Sequence, residues 1–278
     1  MSSQSTIGAR KNPRAKVTAP MVIDMKRKGE VVAVLTAYDH PMAVLADEAG
    51  AEIVLVGDSV GTVLLGYDST LPVTMEDMLH HVKAVARAKT AAMVVADMPF
   101  MSYQVSVEQA VANAGRFIQE GGADAVKMEG GERIVPAIRR IVEVGIPVMG
   151  HLGLTPQSVL ALGGYRVQAR GEADQERLLH EAKMLEEAGC FALVLESIPA
   201  RLGASVSAAL RIPTIGIGAG AGCDGQVLVS QDMLGLYLGR TAKFVRAYAD
   251  LGVRTREAFA AYVADVKARR FPDERETY

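Results

Sequence analysis

The chain has 278 residues, of which 50% are hydrophobic and 22% charged, a composition that excludes general disorder and suits one large domain with a sizeable core. Lysine plus arginine number 30 against 32 for aspartate plus glutamate, so the net charge of -2 provides no field for nucleic acid or an anionic membrane. Cys190 and Cys223 form no Cys-x-x-Cys pair, no stretch nears the roughly 18 apolar residues of a membrane span, and no secretion signal opens the chain, so a cytoplasmic protein is expected.

Residues 1–19 are Ser-rich and basic, carrying Arg10, Lys11, Arg14 and Lys16 without an acid. An organelle transit peptide shares that composition, but no amphipathic pattern accompanies the charges, and a mobile tail is expected. From residue 31 onward short apolar runs alternate with helix-length segments, the pattern of a parallel sheet wrapped by helices. Eight strands are predicted, at 31–37, 53–57, 93–97, 125–129, 147–151, 192–196, 214–218 and 226–230. Their lack of polar alternation fits strands covered on both faces.

Between these runs the helix ends are marked. Asp39 is placed to cap a helix with Pro41 in its first turn, and Thr74 to cap one reaching Lys89. Ser106 and Gln109 have the spacing of a capping box, Gly121 and Gly122 stop that helix, and Ser197 before Ile198-Pro199 opens another. No linker interrupts residues 31–240, so residues 20–278 are read as a single (β/α)8 TIM barrel with extra terminal helices.

A weak repeat supports the barrel. Gly50 leads to Asp58, Gly121 to Glu129 and Gly189 to Glu196, at spacings of eight, eight and seven residues. Each copy places a carboxylate at the end of a strand, and in a parallel barrel those ends share one rim. Asp58, Asp97 and Glu129 end the second, third and fourth strands. Adjacent strands lie about 4.8 Å apart, so the three acids can meet, and hard oxygen donors that would otherwise repel one another suit Mg²⁺.

Lys127 stands two residues before Glu129 and therefore faces the same way; it either binds a substrate carboxylate or enolate oxygen, or pairs with Glu129. His151 ends the fifth strand, as a substrate-orienting or a packing residue. Glu196, behind Leu193-Val194-Leu195 and away from the metal acids, is the general-base candidate. The connections 59–73 and 153–173 are long enough to cover substrate. Gly216, Gly218 and Gly220 form either a phosphate loop or a tight turn.

Between residues 20 and 240 the chain carries Thr36-Ala37-Tyr38-Asp39, Val56-Gly57-Asp58-Ser59, Asp97-Met98-Pro99-Phe100-Met101, Val126-Lys127-Met128-Glu129-Gly130-Gly131 and Gly150-His151-Leu152-Gly153-Leu154-Thr155-Pro156-Gln157. With Asp68 to Thr74, Leu195-Glu196 and Gly216 to Gly220, these segments resemble the ketopantoate hydroxymethyltransferase family of the phosphoenolpyruvate/pyruvate barrel superfamily. The resemblance implies Mg²⁺ on Asp58, Asp97 and Glu129, ketoacid binding by Asp58, Ser59, Asp97 and Lys127, and Glu196 as proton acceptor. It implies transfer of a one-carbon unit from 5,10-methylenetetrahydrofolate to 3-methyl-2-oxobutanoate through a Mg²⁺-stabilised enolate, giving 2-dehydropantoate for pantothenate synthesis. It further implies a homodecamer, with helices near 20–28 and 253–268 available for contacts. A lyase or mutase of the same superfamily and a non-catalytic folate or ketoacid sensor are the alternatives, since the fold alone hosts many chemistries.

Overall fold

The computed structural model describes residues 14–237, 239 and 241–278. Eight parallel strands close into a barrel in chain order. They are β1 (Val32–Thr36), β2 (Ile53–Val56), β3 (Met93–Asp97), β4 (Ala125–Glu129), β5 (Val148–Gly153), β6 (Ala192–Glu196), β7 (Thr214–Ile217) and β8 (Gly225–Leu228). All eight predicted strands are present, displaced at their ends by up to two residues. Two displacements matter for the site: β2 stops at Val56, leaving Asp58 in the following loop, and β5 continues to Gly153, leaving His151 inside the strand.

The helices are α1 (Ala19–Lys28), α2 (His40–Glu48), α3 (Val60–Val63), α4 (Met75–Ala86), α5 (Val107–Arg116), α6 (Val135–Glu143), α7 (Val159–Leu162), α8 (Glu172–Glu187), α9 (Ala200–Ala209), α10 (Ser230–Met233) and α11 (Leu251–Lys267). Asp39 caps α2 by accepting from the Met42 N–H at 2.8 Å. Thr74 and Asp77 form a reciprocal capping box on α4, which ends three residues short of Lys89, where the chain takes a left-handed turn (φ 50°). Ser106 accepts the Gln109 N–H, but the Gln109 side chain does not return the bond, so the expected box is half made. Nor does Ser197 cap a helix. It lies at φ 48° with its N–H on the Ile217 carbonyl (2.8 Å), and Pro199 takes the cap position of α9.

The chain divides into two compact units, the first ending at Val227 and the second running Leu228–Tyr278. In the first, alternation along the strands sorts side chains into two layers. Outward residues such as Val94, Ala96, Val126, Met128, Leu193 and Leu195 pack with the helices. Inward residues Val34, Ile53, Leu55, Met93, Val95, Ala125, Met149, Val194 and Ile215 fill the barrel, and Val22 of α1 joins them. Lys26 secures α1 through the Ser207 and Ile212 carbonyls (2.7 and 3.0 Å) and Asp224 (2.9 Å).

The basic tail expected over residues 1–19 lies, up to residue 13, outside the described residues. From Arg14 on, the cations of this segment meet acceptors on the barrel. Arg14 pairs with Asp47 at 2.7 Å, and Lys16 reaches Asp124 (2.7 Å) and the Ala92 carbonyl (2.8 Å). In the second unit α11 has no buried residue, and Phe259, Tyr262, Val263 and Val266 are exposed along it. No helix among the described residues is long and apolar enough to cross a membrane.

Candidate active site

Strand register decides which side chains meet. Asp97 pairs with Lys127, Glu129 with His151, and Gly153 with Glu196. Each of these polar residues continues an inward column whose lower members are apolar: Met93 and Val95 beneath Asp97, Met149 beneath His151, Ala192 and Val194 beneath Glu196. A polar layer therefore rests on an apolar plug at the carboxyl end of the barrel.

Asp58, Asp97 and Glu129 each offer an oxygen, and these oxygens lie within 4.8 Å of one another. Asp58 reaches the group from the loop after β2, its N–H donating to Asp97 Oδ2 at 3.2 Å. Lys127 Nζ donates to Asp97 Oδ1 and Oδ2 (2.7 and 2.8 Å) and to Glu129 Oε1 (3.1 Å). The lysine is thus paired chiefly with Asp97, across the ladder, rather than with Glu129 alone. Ser59 binds the Tyr38 hydroxyl through its Oγ (2.8 Å).

His151 spans the site. Its Nδ1 lies 3.1 Å from Glu129 Oε1, and its Nε2 lies 3.3 Å from Glu196 Oε2, near enough for charge attraction though not aligned for a hydrogen bond. Glu196 is accordingly joined to the acid cluster through the imidazole, not set apart in an apolar wall. Its side chain remains 15% exposed while that of His151 is 2% exposed, so the carboxylate of Glu196 is the part of this pair open to an incoming molecule.

Burial and charge push the three carboxyls of the cluster apart. Burial, then the charges of Asp97 and Glu129, hold the Asp58 carboxyl well above its ordinary range despite Lys127 and a bond from Gln157. Burial also raises Asp97, against the pull of Lys127. Burial opposes ionisation of Glu129 as well, but Lys127 and His151 outweigh it and hold this carboxyl down at about 2. For His151, burial and Lys127 push the imidazole down, and Glu129 with Glu196 more than offset them, to about 9.

These features fit a divalent cation. Four carboxylates converge on one lysine and one histidine, and Lys127 spends its hydrogen bonds on Asp97 and Glu129, leaving Asp58 the least compensated. Hard oxygen donors in this arrangement are those Mg²⁺ prefers. Three buried ones favour a small, strongly charged ion over a further side chain.

The family described as ketopantoate hydroxymethyltransferase matches residues 16–274. The chain belongs to the ketopantoate hydroxymethyltransferase family. It is 58% identical over 259 residues to the 3-methyl-2-oxobutanoate hydroxymethyltransferase of Syntrophus aciditrophicus (strain SB), covering 93% of this chain and 95% of that one. The enzyme of the same name from Moorella thermoacetica (strain ATCC 39073 / JCM 9320) is 57% identical over 265 residues, covering 95% and 98%. Among solved structures, phosphonopyruvate hydrolase in complex with oxalate and Mg²⁺ shares the fold at a TM-score of 0.61, 14% identity and 93% coverage of both chains. A 2,3-dimethylmalate lyase of the PEP mutase/isocitrate lyase superfamily does so at 0.57, 16% identity and coverage of 95% and 93%.

In this ketopantoate hydroxymethyltransferase family member, Asp58, Asp97, Lys127, Glu129, His151 and Glu196, singled out from the sequence, all come together. Ser59 adjoins Asp58 and is tied to Tyr38. Two further residues were not assigned a role from the sequence. Tyr103 accepts the Glu129 N–H at 3.1 Å, and Gln157 donates to Asp58 Oδ2 at 2.9 Å. The Gln157 signal was its place in the conspicuous Thr155-Pro156-Gln157 segment. Tyr103 had none beyond following Asp97 by six residues.

Proposed function

We propose that the chain transfers a one-carbon unit from 5,10-methylenetetrahydrofolate to 3-methyl-2-oxobutanoate, with water, giving 2-dehydropantoate and tetrahydrofolate. The observation that carries this reading is the inward polar layer, in which Asp58, Asp97, Lys127 and Glu129 converge on one side of His151 and Glu196 lies on the other. The family's name and its close relatives support the substrate class.

Asp58, Asp97 and Glu129 would hold Mg²⁺. When bound, the ion supplies positive charge to the carboxylate and ketone oxygens of the ketoacid, where negative charge gathers as the neighbouring C–H is deprotonated. Glu196 removes that proton, being the carboxylate open to solvent; water releases the one-carbon unit from the folate as formaldehyde, leaving tetrahydrofolate, and the resulting carbon nucleophile adds to the formaldehyde carbonyl, whose oxygen takes up a proton to become the new hydroxyl. His151 holds Glu196 in place from behind. Lys127 and Ser59 bind the ketoacid, Lys127 exchanging one of its bonds to Asp97 for a substrate oxygen. Water is excluded from below by the apolar plug of Met93, Val95, Met149 and Val194.

The same reading takes the protein to be a cytoplasmic homodecamer that acts on small molecules in pantothenate synthesis. An assay coupled to tetrahydrofolate release, run with and without Mg²⁺, tests it. Turnover that depends on all three of ketoacid, folate donor and Mg²⁺ supports the proposal, and turnover undiminished in chelator would sink its metal component.

A further inference from the structure

Gln157 is the most connected side chain around the acid cluster. It lies on the 3-10 turn Pro156–Ser158 and is buried. Its Nε2 donates to Asp58 Oδ2 and to the Met98 carbonyl, each at 2.9 Å. Its Oε1 accepts from the Tyr103 hydroxyl at 2.7 Å and from Gln104 Nε2 at 3.1 Å, and its backbone N–H donates to Glu129 Oε2 at 3.1 Å.

Every hydrogen-bonding position of the side-chain amide is thereby used, two donors and two acceptors. A carbonyl oxygen can only accept, so the Met98 bond fixes which end of the amide carries nitrogen, and nitrogen must then face Asp58. One side chain consequently joins the loop after β2, the loop after β3 and, through its backbone, the end of β4. Those segments carry Asp58 and Glu129 and directly follow Asp97.

The residue type is informative. A lysine or arginine here would supply its own charge to Asp58 and compete with a cation, whereas a glutamate would add a further repelling carboxylate. A neutral amide can orient a carboxylate without altering the charge of the site.

We propose that Gln157 is a positioning residue of the cation site: by occupying Oδ2 of Asp58 it sets the rotation of that carboxylate and leaves Oδ1 as the oxygen for the ion. The inference rests on the assignment of Asp58, Asp97 and Glu129 as a metal site. Partners that orient metal ligands typically contribute 10- to 100-fold in metal affinity. Gln157→Met keeps roughly the length of the side chain but cannot donate, so it should weaken metal binding by about that factor.

The test is a titration of the chelator-stripped full-length protein with Mn²⁺, following free Mn²⁺ by electron paramagnetic resonance, with circular dichroism as a check on folding. Gln157→Met should raise the Mn²⁺ dissociation constant about 10- to 100-fold. Excess Mg²⁺ should then restore turnover towards the wild-type kcat, because no reacting group has been removed. Gln157→Asn, whose amide is one methylene too short to reach Asp58, should shift Mn²⁺ binding in the same direction and serves if the Met variant does not fold. A variant that melts earlier yet binds Mn²⁺ as tightly as wild type would assign Gln157 a packing role only and overturn the inference. Wild-type protein that leaves Mn²⁺ free would overturn the metal assignment, and this inference with it.

Discussion

The His151 imidazole lies 3.3 Å from the Glu196 carboxylate across the β5–β6 ladder, and through its other nitrogen, 3.1 Å from Glu129, it ties the proposed base to the acid cluster. The base is therefore held by a group that is itself held by the cluster, so each should respond to loss of the other.

With Mg²⁺ in deuterated water and no folate, the wild-type chain should exchange the single hydrogen on the ketoacid carbon next to the ketone. Glu196→Gln keeps the size of the side chain but cannot accept the proton, and exchange should fall by roughly 10²- to 10⁴-fold with ketoacid affinity little changed. Proton NMR of 3-methyl-2-oxobutanoate follows this directly. Exchange at the wild-type rate in Glu196→Gln but not in His151→Ala would move the role of base to the histidine.

A pH dependence of stability follows from His151. Its folded value of about 9 exceeds the ordinary 6.5, so the charged imidazole stabilises the native state fully below about pH 6.5, and that contribution disappears as pH rises through about 9. For chelator-treated protein, the gap in unfolding free energy between wild type and His151→Gln should shrink by on the order of 2–3 kcal/mol between about pH 6 and pH 10. Urea denaturation at the two pH values measures it. A constant gap would mean that the imidazole stays neutral.

The two aspartates should behave oppositely when neutralised. Asp58 is raised by burial and by the charges of Asp97 and Glu129, so in metal-free protein Asp58→Asn relieves repulsion and should raise the melting temperature while reducing Mg²⁺-dependent turnover. Asp97 accepts two bonds from buried Lys127, so Asp97→Asn weakens a buried pair and should cost up to about 3–5 kcal/mol. Calorimetry of both variants in chelator decides; equal destabilisation would contradict the charge distribution described here.

Gly153 has φ 95° and stands opposite Glu196 in the ladder, where an added Cβ would overlap the Glu196 carbonyl. The neighbouring Leu154 N–H also bonds that carbonyl, at 2.8 Å. Gly153→Ala should cost at least about 1–3 kcal/mol from backbone conformation alone and should lower kcat by displacing Glu196. Unchanged kcat together with unchanged stability would show that this turn yields without moving the carboxylate.

For assembly, Phe259, Tyr262, Val263 and Val266 recur at helical spacing on α11, which buries none of its residues. Light scattering should find an oligomer, and Phe259→Lys with Tyr262→Lys should shift it to smaller species. Full activity from a wild-type monomer at micromolar concentration would remove assembly from the proposal.

Much of this protein was legible in its residue order because two physical periodicities are local. Apolar runs bounded by glycine and helix caps announce eight covered strands, and the alternation of side chains makes Lys127 and Glu129 share a face before any coordinate is known. The Gly-to-acid repeat placed the carboxylates near one rim for the same reason. Contacts set by how loops travel lay beyond that reach. Gln157 meets Asp58 across 99 residues of sequence, and Tyr103 meets Glu129 across 26, through turns that carry no period. The left-handed Ser197 and the extension of β5 past His151 likewise depend on what the neighbouring strands offer: the Ile217 carbonyl to the first, and the backbone of β6 to the second. Sequence thus determined the barrel and the residues that form its polar layer. Tertiary structure alone decided how they are wired, because charge pairing and hydrogen bonding depend on ångström distances between segments that closure of the sheet brings together.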